Sequence, residues 1–390
     1  MINKDTRKQE RNFILFYFLS YVCFGTVMSN FTPFLSQLGY DPMQRGVLLS
    51  AYAITTILFQ LLFGILADRY QTMKKIIIAS ITIFAIGSAL LFYQEGMFFS
   101  LHLLVIALSG GLLNTLCGLY DTWVLSTTQE LANRLSFIKA FGSVGWALGS
   151  VIASYVIMLF SYRGLAISIC IIMLLALWNI KMIPDIKQME QKKKTSMKDV
   201  ASLLHDHTYM LLVFILFLMY AMIVANNCTV IDKMLALGAN QTDISMKWSI
   251  QSLLEIPTYI AGVRILRRFR HTTLLQFSAV MLVLQFLLFA ISDSISFMIF
   301  LSVFQLFSTP LLMITSKTLI RQIARPELRG SSQLVALSLF TGCSSFVVPA
   351  IAGSLSVSIG INTTLYVISI LGLLALGLLQ YMKKSIRFQI

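Results

Sequence analysis

Residues 58–75 read LFQLLFGILADRYQTMKK, an apolar run that passes through Gly64 into the charged pair Asp68 and Arg69 and ends at Lys74 and Lys75. The same alternation of an apolar run and a charged or polar gap repeats along the whole chain. A helix needs about 20 apolar residues to cross the hydrocarbon core of a bilayer. The pattern therefore predicts an all-α membrane protein that crosses the bilayer many times.

The basic residues divide the gaps into two classes. Of the thirty Lys and Arg residues, 26 lie in the tails or in every second gap, and only Arg45, Arg163, Lys233 and Lys247 lie in the intervening gaps. Cationic loops resist translocation, so the Lys and Arg bias of short loops sets the orientation of the chain. We therefore predict a multi-pass protein of a bacterial plasma membrane, with its N- and C-termini in the cytoplasm.

Composition excludes several other classes of protein. The chain is 57% hydrophobic and 12% charged, with a mean hydropathy of +0.81, whereas soluble domains are about one-quarter charged. Its formal charge of +14 belongs to residues that flank membrane segments and face the lipid bilayer, so we expect no nucleic acid partner. All five cysteines lie in apolar segments, which indicates neither a disulfide framework nor a metal site. We expect no cofactor.

The apolar runs number twelve, and a long polar segment divides them into two sets of six. They begin near residues 12, 44, 75, 98, 136, 163, 209, 245, 272, 295, 331 and 362. We predict a bundle of six helices over residues 1–183, a cytoplasmic central loop over 184–208, and a second bundle of six helices over 209–390. Twelve transmembrane helices in two such bundles resemble the major facilitator fold, in which the halves rock about a central site.

The stretch from Gly64 to Arg69 resembles the Gly-x-x-x-Asp-Arg/Lys loop that is the signature of the major facilitator superfamily. Glycine permits close helix packing, and Asp68 can face the N-terminal end of a helix near residues 330–332. A carboxylate gains about 0.3 to 1 kcal/mol there. Because this contact requires a closed cytoplasmic side, we predict that Gly64, Asp68 and Arg69 form a conformational switch that favours the outward-facing state. The alternative is an ordinary charged loop.

Two acidic residues, Asp121 and Glu255, fall well inside apolar runs. An ionisable group within a membrane is costly and marks a functional site by default. Asn114 precedes Asp121 by seven residues, nearly two helical turns, and so shares its face. Lys139 and Trp146 show the same spacing on the next helix. We predict a substrate site formed by these residues, although Lys139 and Asp121 can also simply join two helices and Trp146 can be a packing residue.

The stretch from Asp121 through Lys139 to Trp146 resembles the sugar-binding region of lactose permease and the oligosaccharide/proton symporter family. In that family a Glu and an Arg at the same separation hold the sugar hydroxyls, and a Trp seven residues after the Arg stacks on the pyranose ring. Asp121 and Lys139 keep those charges with a different reach. Lysine lacks the planar fork of arginine, so galactoside specificity does not follow from the resemblance.

The second half departs from that family, since its matching stretches carry amides and hydroxyls, including Asn227 and Gln305, where the family has interacting charges. Glu255 remains, and Gln251 lies near its face at helical spacing. No Lys or Arg lies within two turns of Glu255 on its helix, and desolvation favours a protonated carboxyl group. We predict that Glu255 and Asp121 couple transport to protons and that Glu255, Gln251, Asn227 and Gln305 contact substrate. The alternative for Glu255 is a structural hydrogen bond.

Together these features predict a secondary transporter, proton-coupled and acting as a symporter of a sugar or similar hydroxyl-rich solute by alternating access. The alternative is transport or efflux of another organic solute, such as a nucleoside or drug. A membrane-embedded enzyme is less favoured, because neither a nucleophile with its base nor an HExxH metal motif is present. A sensor would need a soluble output domain, and the longest hydrophilic segment is too short to fold alone. We expect a monomer.

Overall fold

The computed structural model describes residues 4–70, 72–132, 134–185, 203–324 and 329–385, and every regular element within these ranges is helical. The α-helices, labelled in chain order, are α1 Lys4–Met28, α2 Phe31–Gln37, α3 Pro42–Tyr70, α4 Lys74–Tyr93, α5 Phe99–Thr127, α6 Gln129–Ala132, α7 Leu135–Ile180, α8 His207–Asn227, α9 Thr229–Ala236, α10 Gln241–Arg268, α11 His271–Ile291, α12 Ile295–Phe300, α13 Thr309–Ile323, α14 Arg329–Leu337, α15 Cys343–Ser358 and α16 Ile361–Ser385. A 3₁₀ turn, Leu301–Leu306, joins α12 to α13, and a π turn, Ser338–Gly342, joins α14 to α15.

Helices begin within four residues of ten of the twelve positions that the hydropathy pattern predicts. Helix α1 begins eight residues before the first position, and the predicted start near residue 163 lies inside α7. Nine stretches of the described chain are long and apolar enough to cross a membrane. One of them, residues 137–180, contains a break at Ser161, whose φ of 58° is not helical. Helices α3 and α10, with 29 and 28 residues, also have the length of a membrane span, and α10 is the more polar of the two.

The buried apolar side chains form two separate clusters, one for each half of the chain. The first draws its residues from positions 13–183, with Cys228 as an addition, and the second from positions 203–382. Each cluster is the core of one half of the molecule. Part of the predicted central loop, residues 186–202, lies outside the described residues. The surroundings of Gly64 and the side chains of Asp68 and Arg69 also lie outside the described part, although the backbone of all three belongs to the last turns of α3.

Helices α1 and α7 approach each other backbone to backbone through glycines. A Cβ added to Gly25 would lie 2.5 Å from the carbonyl oxygen of Trp146, and one added to Gly145 would lie 2.5 Å from that of Phe18. The Thr26 hydroxyl donates to the carbonyl of Gly149 at 3.0 Å across the same contact. Small residues permit such close helix contacts in membranes. This contact fixes the position of the Trp146 backbone relative to α1.

The segment between α12 and α13 interrupts a helix at the middle of the second half. Pro310 cannot donate a backbone hydrogen bond, so the carbonyl of Leu306, four residues earlier, lacks its helical partner. The Thr258 hydroxyl donates to the carbonyl of Leu306 at 2.5 Å, and the Ser278 hydroxyl donates to that of Ser308 at 2.7 Å. Irregular backbone at membrane depth is tolerated where it is buried in protein or lines a cavity. Gln305 lies in this interruption.

At one end of the molecule α3 and α15, which belong to different halves, are in tight contact. A Cβ on Gly46 would overlap the carbonyl group of Pro349, and a Cβ on Gly353 would overlap that of Pro42. The two helices meet over their backbones with no side chain between them. We call this end, which also carries α2 and α9, the closed end.

Replacing Gly353 by alanine is expected to destabilise the protein by about 1 to 3 kcal/mol, the usual cost of overpacking, because Cβ overlaps backbone that cannot rotate away. The matched control is Gly377→Ala in α16, where a Cβ meets nothing within 4 Å and helix propensity alone favours alanine by about 0.5 to 1 kcal/mol. Thermal unfolding in detergent should show a lower midpoint for the first variant and an unchanged or higher one for the second. Equal midpoints would contradict the close contact.

Candidate functional site

A cavity of about 590 Å³ lies between the two halves of the molecule. Its walls come from α1, α5 and α7 on one side and from α8, α10, the 3₁₀ turn and α13 on the other. The polar side chains that line it are Tyr21, Asp121, Lys139, Ser143, Trp146, Asn227, Trp248, Gln251, Ser252, Glu255, Tyr259, Gln305, Thr309 and Lys317. Cavities of about 300 to 1,000 Å³ are typical of sites for small molecules.

The first half supplies an ion pair to the cavity. Lys139 Nζ lies 2.6 Å from Asp121 Oδ2, and the hydroxyl of Tyr17 donates to Asp121 Oδ1 at 2.9 Å. The side chains of Lys139 and Asp121 are 40% and 22% exposed, so the pair faces the cavity and not the hydrocarbon. The ammonium group retains free N–H donors and the carboxylate retains free lone pairs. The pair can therefore bind a ligand hydroxyl without being broken.

Trp146 forms an aromatic wall beside that ion pair. Its ring lies 6.4 Å from the ring of Tyr21, centroid to centroid, at an angle of 57°. The side chain is half-buried, and its backbone is fixed by the contact with Gly25 of α1. An indole face next to paired charges offers a flat apolar surface together with hydrogen-bonding groups, which is the combination that a sugar ring requires.

The second half supplies a carboxyl group with a neutral partner. Gln305 Nε2 donates to Glu255 Oε1 at 2.9 Å and to Thr309 Oγ1 at 2.5 Å. Among the described residues, no Lys or Arg forms an ion pair with Glu255. Pro257, two residues later, removes a backbone hydrogen bond from α10 close to this carboxyl group. Glu255 thus faces the cavity, and its hydrogen-bond partner is a neutral amide.

Amides line the part of the cavity nearest the closed end. Asn226 Nδ2 donates to Gln251 Oε1 at 3.1 Å, while Asn227 and Gln251 both face the cavity. Behind them Lys247 is fully buried, with its Nζ 3.3 Å from the carbonyl oxygen of Asn226 and 4.3 Å from the ring centroid of Trp248. A cation over the face of an indole ring is electrostatically favourable, which offsets part of the cost of burying Lys247.

The structure brings together seven of the eight residues predicted to bind substrate. They are Asp121, Lys139, Trp146, Glu255, Gln251, Asn227 and Gln305. Asn114 does not line the cavity. Its part of α5 packs against α3, where Gly110 and Gly111 lie against Tyr52 and Thr55. Asn114 shares a helix face with Asp121, but it lies about 10 Å further along the axis, where a neighbouring helix covers that part of α5.

Several charged residues that the sequence assigned to gaps lie inside the structure. Lys317 faces the cavity from α13, and Lys247 is buried in α10. The Lys and Arg count placed Lys317 in a loop with Arg321, although Thr309, Met313 and Lys317, spaced by four residues, show that it continues a helical face. Lys233 is also buried, and its Nζ donates to the carbonyls of Phe289 and Ala290 at 2.6 and 2.9 Å at the end of α11.

A buried ion pair joins the two halves at the closed end. Arg45 Nε and Nη2 lie 3.0 and 2.6 Å from Asp232 Oδ1, and both side chains are less than 10% exposed. Gln241 of α10 also donates to the side-chain oxygen of Asn30 across the same boundary. The lining of the large cavity reaches the opposite helix ends at Leu135 and Leu266. The cavity is therefore sealed at the closed end and approached from the other.

A bundle of membrane-spanning helices in two halves, with a charged cavity between them that is sealed at one end, is the structure of a solute transporter. The sequence agrees with this class: residues 11–365 match the MFS_1 like family, and the chain belongs to that family. The protein is thus a transporter of the major facilitator type and not an enzyme.

Two relatives and several solved structures that the chain resembles are transporters. The chain is 24% identical over 326 residues to maltose permease of Geobacillus stearothermophilus, covering 83% of this chain and 82% of that one. It is 25% identical over 262 residues to the uncharacterized transporter YwbF of Bacillus subtilis (strain 168), covering 66% of this chain and 64% of that one. An alanine variant of the nucleoside transporter NupG superposes with a TM-score of 0.84 at 16% identity, covering 96% and 99% of the two chains. A bacterial homolog of the human lysosomal transporter Spinster, inward-facing, gives 0.77 at 11%, covering 99% of this chain and 98% of that one. At these identities the structural matches show the fold alone.

Replacing Asp232 by asparagine is expected to open the closed end. The change leaves Arg45 as a buried cation without its partner, which costs about 3 to 5 kcal/mol when the halves stay together. Cys228, which is 5% exposed and lines a small gap of about 10 Å³ at this end, reports the opening. In a variant with the other four cysteines replaced by serine, a water-soluble maleimide should label Cys228 faster after Asp232→Asn.

The control is the double variant Arg45→Met, Asp232→Met, because replacing a buried ion pair by apolar residues of similar size is often neutral or stabilising. It should restore slow labelling of Cys228. Fast labelling in the double variant, or no change in the single one, would show that the ion pair does not hold this end closed.

Proposed function

We propose that this transporter moves a sugar or a similar hydroxyl-rich solute together with a proton, by alternating access. The observation that carries the proposal is the convergence of the Asp121 and Lys139 pair, Trp146 and Glu255 on one cavity between the two halves. The pair and the indole belong to the first half, and the carboxyl group belongs to the second. A solute held by both halves couples their movement.

Sugar recognition follows from the chemistry of the first half. Hydroxyl groups both donate and accept hydrogen bonds, and Asp121 and Lys139 offer one acceptor and one donor at a separation of 2.6 Å. Trp146 offers the flat surface on which a pyranose ring can stack. The resemblance of residues 121–146 to the oligosaccharide/proton symporter family and the likeness to maltose permease support the same substrate class.

Proton coupling is assigned to Glu255, with Asp121 as the second acidic group of the site. Glu255 faces the cavity with Gln305 as its partner and without an ion pair among the described residues. A partly buried carboxylate without a cationic partner is costly to ionise, so its proton is lost more readily when water or a ligand stabilises the charge. Protonation of Glu255 would then depend on which end of the cavity is open.

Alternating access follows from the arrangement of the two halves. We propose twelve membrane crossings, six in each of residues 1–183 and 209–390, with both termini in the cytoplasm. The bias of Lys and Arg places the closed end outside the cell, so the described state opens toward the cytoplasm. We propose that the opposite state forms when the Arg45 and Asp232 pair breaks and the end of α3 that carries Gly64, Asp68 and Arg69 closes against the second half.

A nucleoside is the second candidate substrate. The amides of Asn227 and Gln251 line the part of the cavity nearest the closed end and can pair with the donor and acceptor groups of a base. The ribose hydroxyls would then occupy the Asp121 and Lys139 pair. The same screen of ligands distinguishes the two substrates.

A thermal-shift screen of the purified protein against neutral mono- and disaccharides and nucleosides tests the substrate class. We expect a saccharide to raise the unfolding midpoint, and we expect Trp146→Ala to weaken its binding at least tenfold, about 1.4 kcal/mol or more, since a buried aromatic anchor is lost. Asp121→Asn should weaken it as well. Trp178→Ala, an exposed indole outside the cavity, is the control and should leave affinity unchanged.

Stabilisation by nucleosides alone would favour the second candidate. Stabilisation by saccharides that survives both Trp146→Ala and Asp121→Asn would place the binding site elsewhere in the molecule.

Replacing Glu255 by glutamine is expected to abolish substrate-driven proton uptake while leaving binding of substrate within about threefold. Glutamine preserves the shape and a hydrogen bond to Gln305 but cannot exchange a proton. The measurement is the change in internal pH of proteoliposomes when the identified solute is added. Glu95→Gln, a carboxylate that is 70% exposed, is the control. Proton uptake at the normal rate in Glu255→Gln would assign coupling to another group.

A further inference from the structure

Lys317 is a cation of the cavity that the proposed function does not use. It extends from α13 into the cavity that Lys139 and Asp121 also line, where the three charged groups interact electrostatically. Lys139 has Asp121 as its partner at 2.6 Å. Within the described part of the chain, no carboxylate forms an ion pair with Lys317.

The local charge is therefore unbalanced. Two ammonium groups and one carboxylate share this part of the cavity, so the two cations repel each other with only one anion to compensate. Membrane interiors tolerate a charge poorly, and charged groups there are usually paired. An anionic ligand beside Lys317 would offset this repulsion and give Lys317 a partner of opposite charge.

Balancing the charges of the whole cavity indicates how large the ligand charge is. With Glu255 ionised, the formal charges of the lining residues Lys139, Lys317, Asp121 and Glu255 sum to zero. When Glu255 takes up a proton, the lining gains one positive charge. A ligand with one negative charge returns the sum to zero, whereas a neutral ligand leaves it positive and a dianion makes it negative.

We propose that the transported solute is a hydroxyl-rich compound that carries a single carboxylate, such as a uronic acid or its glycoside, and that Lys317 binds this carboxylate. The proposal rests on the function proposed above and narrows its substrate class. The sugar ring would lie against Trp146, its hydroxyls at Asp121 and Lys139, and its carboxylate at Lys317. A lysine suits this role because it is a mobile point charge that does not require one fixed ligand geometry.

The test compares matched pairs of ligands on the full-length protein. The probes are methyl glucopyranoside and methyl galactopyranoside, each beside the corresponding pyranosiduronate, in which a carboxylate replaces the CH₂OH group. Glucose 6-phosphate serves as a dianion. Affinities are measured by thermal shift and by calorimetry at constant pH and ionic strength for the wild type, Lys317→Gln, Lys317→Arg and Arg321→Gln. Arg321, one turn further along α13, is exposed and outside the cavity lining.

We expect the wild type to bind at least one uronate about tenfold or more tightly than its neutral partner. A hydrogen bond to a charged group contributes enough binding free energy for a difference of this size. Lys317→Gln should remove this preference and leave the affinity for the neutral partner within about twofold. Lys317→Arg and Arg321→Gln should keep the preference. Glucose 6-phosphate should bind more weakly than the uronate.

Each contrary outcome has a distinct meaning. Neutral glycosides that bind through Trp146 while uronates bind no better would leave sugar transport standing and exclude the carboxylate. A preference for uronates that survives Lys317→Gln would show that Lys317 does not bind the anion, and tighter binding of the phosphate would show that the ligand is a dianion. Failure of every probe would exclude this substrate class, and the wider screen would then decide whether any sugar is transported.

Discussion

The cost of placing ionisable groups away from water governs this structure. Asp121, Lys139, Glu255 and Lys317 belong to helices that cross an apolar environment, and all four converge on one cavity between the two halves. Where a charge is excluded from that cavity, it has a specific partner: Arg45 has Asp232, and Lys233 binds the carbonyl groups at the end of α11. These partners constrain how the helices that carry the charges can pack, alongside the apolar cores of the two halves.

Backbone groups obey the same constraint. The helix formed by α12 and α13 is interrupted beside the cavity. The freed carbonyl of Leu306 accepts a hydrogen bond from Thr258, and the carbonyl of Ser308 accepts one from Ser278 in addition to its backbone bond. The interruption allows Gln305 to reach both Glu255 and Thr309. A regular helix would satisfy its own carbonyls, but it would not present this side chain in the same way. The local loss of helix therefore serves the site, and neighbouring side chains offset its cost.

Much of this organisation could be predicted from sequence, because it depends on local composition. Apolar runs gave the helix positions, and an acid inside an apolar run identified Asp121 and Glu255 as residues of a site. Helical spacing within one helix also connected Lys139 to Trp146. These signals are local, so they can be recognised in the sequence without knowledge of the tertiary structure.

Contacts between distant segments could not be predicted in the same way. Arg45 and Asp232 are 187 residues apart in the sequence, and the residues next to each of them in the sequence are typical of a loop. Lys317 resembles a loop residue too, because the Lys and Arg count cannot distinguish a cation at a helix end from one that turns inward. Asn114 shows the reverse error, since a shared helix face does not reveal which neighbour covers it.

One hydrogen bond joins the halves at the level of the site itself, where Ser252 of α10 donates to the carbonyl of Ser143 of α7 at 3.0 Å. In any rigid rotation, a point moves in proportion to its distance from the axis. If α7 and α10 act as the fulcrum, the helix tips sweep through several ångströms while the groups beside Ser143 shift little. The bound solute can then stay nearly stationary while the contacts that close one end of the cavity break and contacts that close the opposite end form.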